Sequence, residues 1–590
     1  MRDFSQTVKM ARRYIKSWNK EEHLDALRVA VLGSASIQHY VMILRYLLHE
    51  EGIEAEVYEG EYNGIAMDVF DSDSVLYRFN PEIVIILPHY TDIHRYPVPM
   101  DGERETAELM QEYVGFYTNA WKTIGSKCDC RILQANFVIP PEHVLGNIER
   151  GLLSSKTSFL QQLNEDFYRV APENVTIVDV ELLAQYVGKY QYIDYSSYFL
   201  NKMPCRLDML PEFCSLFVRQ IAAMQGHVRK CLVLDLDNTI WGGVVGDDGW
   251  DGIQLDPNEG TGEAYRYFQQ YVLALKQRGV ILAVCSKNDE DKAKEPFEKN
   301  PHMLLRLEDI SCFVANWEDK ASNLQTIAQK LNIGVDSLVF FDDNPAEREI
   351  VRLHLPQVHV VDVPEDPALY AVTLDRETPF EGLQLTKEDL LRSDSYVRNQ
   401  QRENMQRQFV DYNAYLQALE MSGSVHRVGD KETPRFAQLL NKSNQFNLRT
   451  QRYTEDEICS MQKDKNVRCL CGELSDKFSS YGIISCVILK KTEEDIFIDS
   501  WVMSCRVLKR GVEHMMFRQI IAESEAIGCR EIVAEYIPTT KNGIVQDFYE
   551  GLGFDLCSEE DGVKRYRYDL SKPFNKDVFI QMASPDKERK

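Results

Sequence analysis

Positive charge is scarce in this sequence. Its 590 residues carry 67 Lys and Arg against 92 Asp and Glu, a formal net charge of −25. Nucleic acid needs a basic face, so it is not expected as a main partner. No run of about 18 apolar residues occurs, which leaves no candidate for a membrane-spanning helix. The opening stretch MRDFSQTVKMARRYIKSW has no apolar segment followed by a small-residue cleavage site. It reads as an amphipathic helix, and a cytoplasmic location is the expectation. Among 14 cysteines there is no C-x-x-C, and no His/Cys cluster has zinc spacing. Two C-x-C pairs occur, Cys128/Cys130 and Cys469/Cys471; reduced, buried thiols are expected for most of the set. Internal repeats and low-complexity tracts are also missing.

What is present is globular: 44% apolar and 10% aromatic residues, in a chain too long for one core. Over 1–225, the apolar runs at 28–34, 55–60, 81–89, 131–139 and 175–181 alternate with helical stretches such as IQHYVMILRYLLHEEG. Strands alternating with helices imply a parallel sheet covered on both faces. Residues 226–375 repeat the pattern with CLVLDLDNT, VILAVCSKN, SCFVANW, SLVFFDDNP and VHVVDVP. Residues 376–423 have the spacing of a helical linker. Residues 424–570 change to alternating strands followed by a helix over 511–528, and 571–590 read as a tail that frays.

The chemistry concentrates at the strand ends of 226–375. The first strand delivers Asp235 and Asp237, two apart and on one face. The second ends in Ser286, the third leads to Lys320, and the fourth ends in Asp342-Asp343-Asn344-Pro345. In open α/β sheets, ligands bind beyond the carboxyl ends of strands. Asn344 fits a helix N-cap, Pro345 the first helical position, and Glu347 a capping-box partner. Such a set suits phosphoryl transfer with magnesium as cofactor. Asp235 acts as nucleophile and metal ligand. Asp237 serves as acid and then base. Ser286 and Lys320 hold phosphoryl oxygens, while Asp342 and Asp343 complete the metal site.

The ordered motifs D-x-D-x-T, Ser, Lys and D-D resemble the haloacid dehalogenase (HAD) superfamily, whose metal set here is Asp235, Asp237, Asp342 and Asp343. The surrounding DLDNTIWGGVVGDDGWDGIQL, LAVCSKNDE, NWEDKASNLQTIAQKLNIGVDSLVFFDDNPAEREIVR and NKSNQFNLRTQRYT resemble the FkbH-like family over roughly residues 28–570. That resemblance implies a glyceryl transferase and phosphatase. Such a protein takes a small phosphorylated three-carbon substrate, 1,3-bisphosphoglycerate. It loads a D-glyceryl group onto the phosphopantetheine arm of an acyl carrier protein for polyketide-type biosynthesis. A stand-alone magnesium-dependent phosphatase and a non-catalytic carrier scaffold are the alternatives. The stretch between Thr239 and the helix at 262 is too short for a large cap, which leaves room for a carrier arm.

The implied fold is α/β and multidomain: an SGNH-like N-terminal domain, a HAD-type Rossmannoid parallel sheet and a GNAT-like α+β C-terminal domain. In the first, Ser36 of Gly33-Ser34-Ala35-Ser36-Ile37 sits where a nucleophile would, but Ala35 replaces the usual Asp and no D-x-x-H follows. A structural or docking role is expected. In the last, Phe548-Tyr549-Glu550-Gly551-Leu552-Gly553-Phe554 carries the likeness, and Lys509 stands where the acyl-coenzyme A loop has its first glycine. Acyl transfer needs a second nucleophile. Cys285, beside Ser286, is the first candidate thiol and Cys505 the alternative. Carrier proteins are usually acidic, so Arg449, Arg452, Lys509 and Arg510 are expected to form a local basic docking patch.

Overall fold

Short apolar runs become the strands, and their first polar residues end them. The computed structural model describes residues 2–377, 379–382, 405, 409, 411–443, 446–492, 494–504, 507–539, 542–560, 562–576 and 578–583. The chain divides into two units, Met1–Leu390 and Leu391–Lys590.

In the first unit, β1 (Leu27–Gly33), β2 (Ala55–Glu59), β3 (Ile83–Leu87), β4 (Arg131–Ala135) and β5 (Val175–Val178) form a parallel sheet ordered β2-β1-β3-β4-β5. One face packs Val29, Val31 and Ile85 with Leu44 and Phe217 from the helices Gln38–Glu50 and Leu210–Met224. The other packs Val84 and Ile132 with Trp121 and Leu163 from the helices Glu103–Lys127 and Lys156–Val170. Burial on both faces explains the continuous apolar runs. Two strands end earlier than their runs suggest. Asn136 donates its backbone N–H to the Val178 carbonyl at 3.1 Å and its Nδ2 to Asp179 Oδ1 at 2.7 Å, and Asp179 caps the helix Val180–Val187, so the ladder ends there.

The same unit holds β6 (Cys231–Leu234), β7 (Ile281–Ser286), β8 (Cys312–Ala315), β9 (Leu338–Phe341) and β10 (His359–Val360), parallel in the order β10-β9-β6-β7-β8. The chain runs from β6 out to β8 on one side and returns to β9 on the other. The ends of β6, β7 and β9 therefore lie together at the point where the order reverses. Only a small excursion follows β6. Gly242 and Gln254 pair across it (N–H···O 3.2 and 2.8 Å) and enclose the short helix Val245–Gly252. The two sheets are joined through Asp375, which accepts from Tyr186 and, at 2.9 Å, from Tyr271. Glu381 ties them further, accepting from Arg219 at 3.2 Å and Gln220 at 2.6 Å.

Most of the linker expected over 376–423 lies outside the described residues. The second unit has β11 (Ser422–Arg427), β12 (Val467–Asp476), β13 (Ser479–Lys491), β14 (Asp495–Met503), β15 (Glu531–Tyr536), β16 (Asp555–Glu560), β17 (Val563–Asp569) and β18 (Gln581–Met582), ordered β16-β17-β15-β14-β13-β12-β11-β18. Pairing is antiparallel except at the β11–β18 edge and between β14 and β15, which are parallel over Asp495–Phe497 and Glu531–Val533. Beyond Phe497 these two strands part. This is the mixed α+β sheet expected of a GNAT-like domain, with Met515, Phe517 and Ile520 of the helix Val512–Ala526 packed in its core. Strand β18 falls within the stretch expected to fray.

The helix Gly260–Gln277 covers the second sheet and starts against the chain at 255–256. A Cβ at Gly262 would lie 2.3 Å from the Asp256 carbonyl oxygen. Gly262→Ala is expected to cost about 1–3 kcal/mol by overpacking, read as a lower thermal midpoint. An unchanged midpoint would mean that the helix start yields without strain.

Candidate active site

Asp235 leaves β6 at the carboxyl edge and is 7% exposed. Opposite it stands Lys320, the first residue of the helix Lys320–Leu331. The cap Asp319 fixes that helix start by accepting from the Ser322 backbone at 2.8 Å. The Lys320 ammonium lies 2.9 Å from Asp235 Oδ2 and also pairs with Asp342, which is fully buried. Burial works against this ammonium, yet the charges of Asp235 and Asp342 hold its pKa above the usual lysine value. Burial and the Asp235 charge push Asp342 up to about 7, against the pull of Lys320. Asp343 is raised by the same two causes.

Asp235, Asp342 and Asp343 each bring one carboxylate oxygen within 4.8 Å of the other two. Asp235 Oδ1 is buried and has no hydrogen-bond partner among the described residues. Three carboxylates face one ammonium, all the donors are oxygens, and one of them is unmet. This fits a hard divalent cation.

The β9 loop is held from behind. Arg348 Nη1 donates to the carbonyls of Asp342 (2.7 Å) and Asp343 (2.8 Å), and Asp342 Oδ1 accepts from the Asn344 backbone at 2.9 Å. Asn344 caps the helix Pro345–His354 through the Ala346 backbone, with Pro345 in its first turn. Glu347 does not close a capping box; it reaches Lys287 instead, at 2.6 Å.

Asp237 is held differently from the role first expected. Its Oδ1 accepts from Trp241 Nε1 (3.0 Å) and the Val245 backbone (2.9 Å), and its Oδ2 from Asn288 Nδ2 (2.8 Å). With both oxygens engaged, its carboxylate is not among the converging three. The expectation of Asp237 as a carboxylate metal ligand differs from this geometry, in which Asp235, Asp342 and Asp343 converge without it. Ser286 is buried at the end of β7, and its Oγ accepts from Asn288 Nδ2 at 3.3 Å.

Three residues to which the sequence alone assigned no role serve this site. Asn288 ties Asp237 to Ser286, Arg348 grips the β9 loop, and Thr239 Oγ1 donates to Asp343 Oδ1 at 3.3 Å. Thr239 and Asn288 each stand two positions beyond a residue already singled out, and the D-x-D-x-T pattern contains the threonine.

A thiolate nucleophile at Cys285 is not what the geometry offers. The side chain is fully buried, with Sγ 3.9 Å from the Lys320 carbonyl. Burial pushes the thiol well above its usual pKa, with only partial relief from the Lys320 charge. Alternation along β7 turns Ser286 and Cys285 to opposite faces. Cys505 lies outside the described residues.

The expected basic patch is also reduced. Arg449 pairs with Glu535 (2.9 Å) and Asp499 (3.3 Å) and lies over the Phe497 ring. Arg510 pairs with Asp476 at 3.4 Å. Both charges are neutralised within their own unit, whereas Arg452 and Lys509 are exposed. Lys509 adopts φ +63°, a left-handed backbone that ordinarily favours glycine. In the first sheet, Ser36 Oγ donates to Gln38 at 2.7 Å, and Asp194 caps the helix Tyr195–Asn201, so neither forms a hydrolytic pair.

The family model described as FkbH, N-terminal domain, matches residues 28–221. The N-terminal part of the protein BF1531 from Bacteroides fragilis, containing a phosphatase domain and complexed with Mg, is 36% identical. The match covers 65% of this chain and 100% of that one, with a TM-score of 0.59. The ribosomal-protein-S18-alanine N-acetyltransferase from Escherichia coli is 12% identical over 28% of this chain and 99% of that one, with a TM-score of 0.20. The GNAT domain of S. lividans PAT is 15% identical over 25% and 89%, also at 0.20. A search of curated proteins gives no match. Among the described residues, no helix is long and apolar enough to cross a membrane.

The fold favours the protonated form of Asp342, since its value is raised from 3.8 to about 7. The stability this contributes is full below the unfolded value and is lost as pH rises through the folded one. A bound cation takes the place of the proton. Magnesium is therefore expected to raise the thermal midpoint more at about pH 8 than at about pH 5. Equal shifts at the two pH values would remove the cation from these carboxylates.

Proposed function

This chain belongs to the FkbH-like family and carries a HAD-type phosphatase domain, and from that premise we propose that it is a magnesium-dependent phosphatase and glyceryl transferase. Its substrate is 1,3-bisphosphoglycerate, and its acceptor is the phosphopantetheine thiol of an acyl carrier protein. The observation that carries the phosphatase half is the set of Asp235, Asp342 and Asp343 around the buried Lys320 ammonium. Asp235, Asp342 and Asp343 would hold the magnesium, which when bound offsets charge on the transferring phosphoryl group.

The chain's own residues supply the rest. The carboxylate of Asp235 attacks phosphorus and displaces the alcohol oxygen, giving an aspartyl phosphate. Lys320 and the Ser286 hydroxyl hold the phosphoryl oxygens as charge develops. Asp237, oriented by Trp241, Val245 and Asn288, protonates the leaving oxygen and then takes a proton from the water that frees the phosphate.

The transferase half makes a thioester at the acyl carbon. A thiol sulfur attacks that carbon, the C–O bond to phosphate breaks, and inorganic phosphate leaves. The remaining phosphate monoester is the natural substrate of the Asp235 site, so a glyceryl thioester needs both steps. The burial of Cys285 favours direct attack by the carrier's thiol. The excursion after β6 is only a short helix and not a large cap, which supports access by a long arm.

The test mixes protein, magnesium, 1,3-bisphosphoglycerate and carrier, and reads intact masses. The carrier is expected to gain a glyceryl group while this protein stays at its own mass. An adduct mapping to Cys285 would restore the covalent route, and an unmodified carrier would leave a plain phosphatase. Asp235→Asn is expected to lower phosphate release from a small monoester by at least roughly 10³-fold without unfolding the chain; near wild-type release would remove Asp235 as nucleophile. Lys509→Glu is expected to raise KM for the carrier and leave monoester turnover unchanged. An unchanged KM would place docking away from Lys509.

A further inference from the structure

Among the described residues, a second group of metal-ligating side chains converges besides the phosphatase crevice: His426, Glu432 and Cys471, with donor atoms within 4.8 Å of one another. His426 lies on β11, directly opposite Cys471 on β12. Glu432 directly precedes the helix Thr433–Lys442, which follows β11. Cys471 Sγ stands 3.2 Å from His426 Nε2, and Glu432 Oε1 stands 3.0 Å from the same nitrogen. The other Glu432 oxygen accepts from the Gly429 backbone at 2.9 Å, which fixes the carboxylate.

Two groups thus aim at one ring nitrogen. In a relay, the thiol and the carboxylate would use opposite nitrogens of the imidazole. A single Nε2 has one hydrogen or one lone pair, and it cannot serve as acceptor for the thiol and donor to the carboxylate at once. A cation at the centre satisfies sulfur, nitrogen and oxygen together. We propose that His426, Glu432 and Cys471 form a zinc-class binding site.

The donor set selects the ion. One thiolate, one imidazole and one carboxylate suit a borderline-soft cation, whereas magnesium and calcium prefer oxygen alone. Tetrahedral bonds of ordinary zinc length separate neighbouring donors by roughly 3.3–3.6 Å, so the observed spacing needs only a small expansion. Thiolate and carboxylate together balance the ion's two charges, which makes burial tolerable. Binding exchanges the Cys471 thiol proton for a sulfur–metal bond, and the proton passes to solvent. Cys471 is fully buried, while the His426 side chain is 20% exposed and gives the ion a way in. Once bound, the ion staples β11 to β12 and to the following helix.

The test uses the full chain, stripped with chelator and reloaded with cobalt(II). A single equivalent is expected to produce a thiolate-to-cobalt charge-transfer band that added zinc abolishes. The oxygen-only phosphatase crevice cannot give that band. Cys471→Ser should remove it, and Cys486→Ser, changing the opposite residue on β13, should keep it. No band in the unaltered protein, or a full band in Cys471→Ser, overturns the site. If Cys471→Ser does not fold, His426→Gln decides: cobalt affinity should fall at least ~10-fold, and unchanged affinity overturns the site.

Discussion

A buried ammonium shared between two carboxylates holds the phosphatase crevice together. Lys320 sits between Asp235 and Asp342, all three nearly shut off from water. Charges removed from solvent persist only when paired, and loss of one partner leaves the others uncompensated. A lysine in the first helical turn is also disfavoured by the helix dipole. The two carboxylates overcome that cost and fix the helix Lys320–Leu331 against the crevice. With Asp343 the crevice sets three carboxylates against one ammonium, and that excess of acceptors fits a cation.

Everything around this pairing restrains it. The β9 loop cannot drift, because Arg348 grips two of its carbonyls. Asp237 cannot turn toward the metal group, because Trp241, Val245 and Asn288 occupy both of its oxygens. Two carboxylates two positions apart thereby have different surroundings: Asp235 keeps an oxygen without a partner among the described residues, and Asp237 has both oxygens hydrogen-bonded.

The two donor clusters divide cations by kind. The crevice offers oxygen only, whereas His426, Glu432 and Cys471 offer one atom each of nitrogen, oxygen and sulfur. Hard and borderline ions therefore need not compete for one place. The first cluster gathers at strand ends and a helix start. The second is built into a sheet and a helix start, where a bound ion would restrain the backbone.

The sequence by itself determined the parallel sheets and the phosphatase motifs. Strands buried on both faces must be apolar throughout, and the reactive residues follow their strands within a few positions, as in Leu234-Asp235 and Phe341-Asp342. Local order was enough to read them. It was not enough for residues whose role depends on distant partners. Alternation shows that Cys285 and Ser286 face opposite ways, but only packing decided that Cys285 is enclosed behind the strand while Ser286 meets Asn288 at the crevice. Arg449 and Arg510 read as free cations until Glu535, Asp499 and Asp476 were brought beside them by strands far along the chain. His426 and Cys471 lack any metal spacing in the sequence. Strand register alone sets them opposite each other, because pairing in a sheet depends on side-chain packing across the whole ladder and not on separation along the chain.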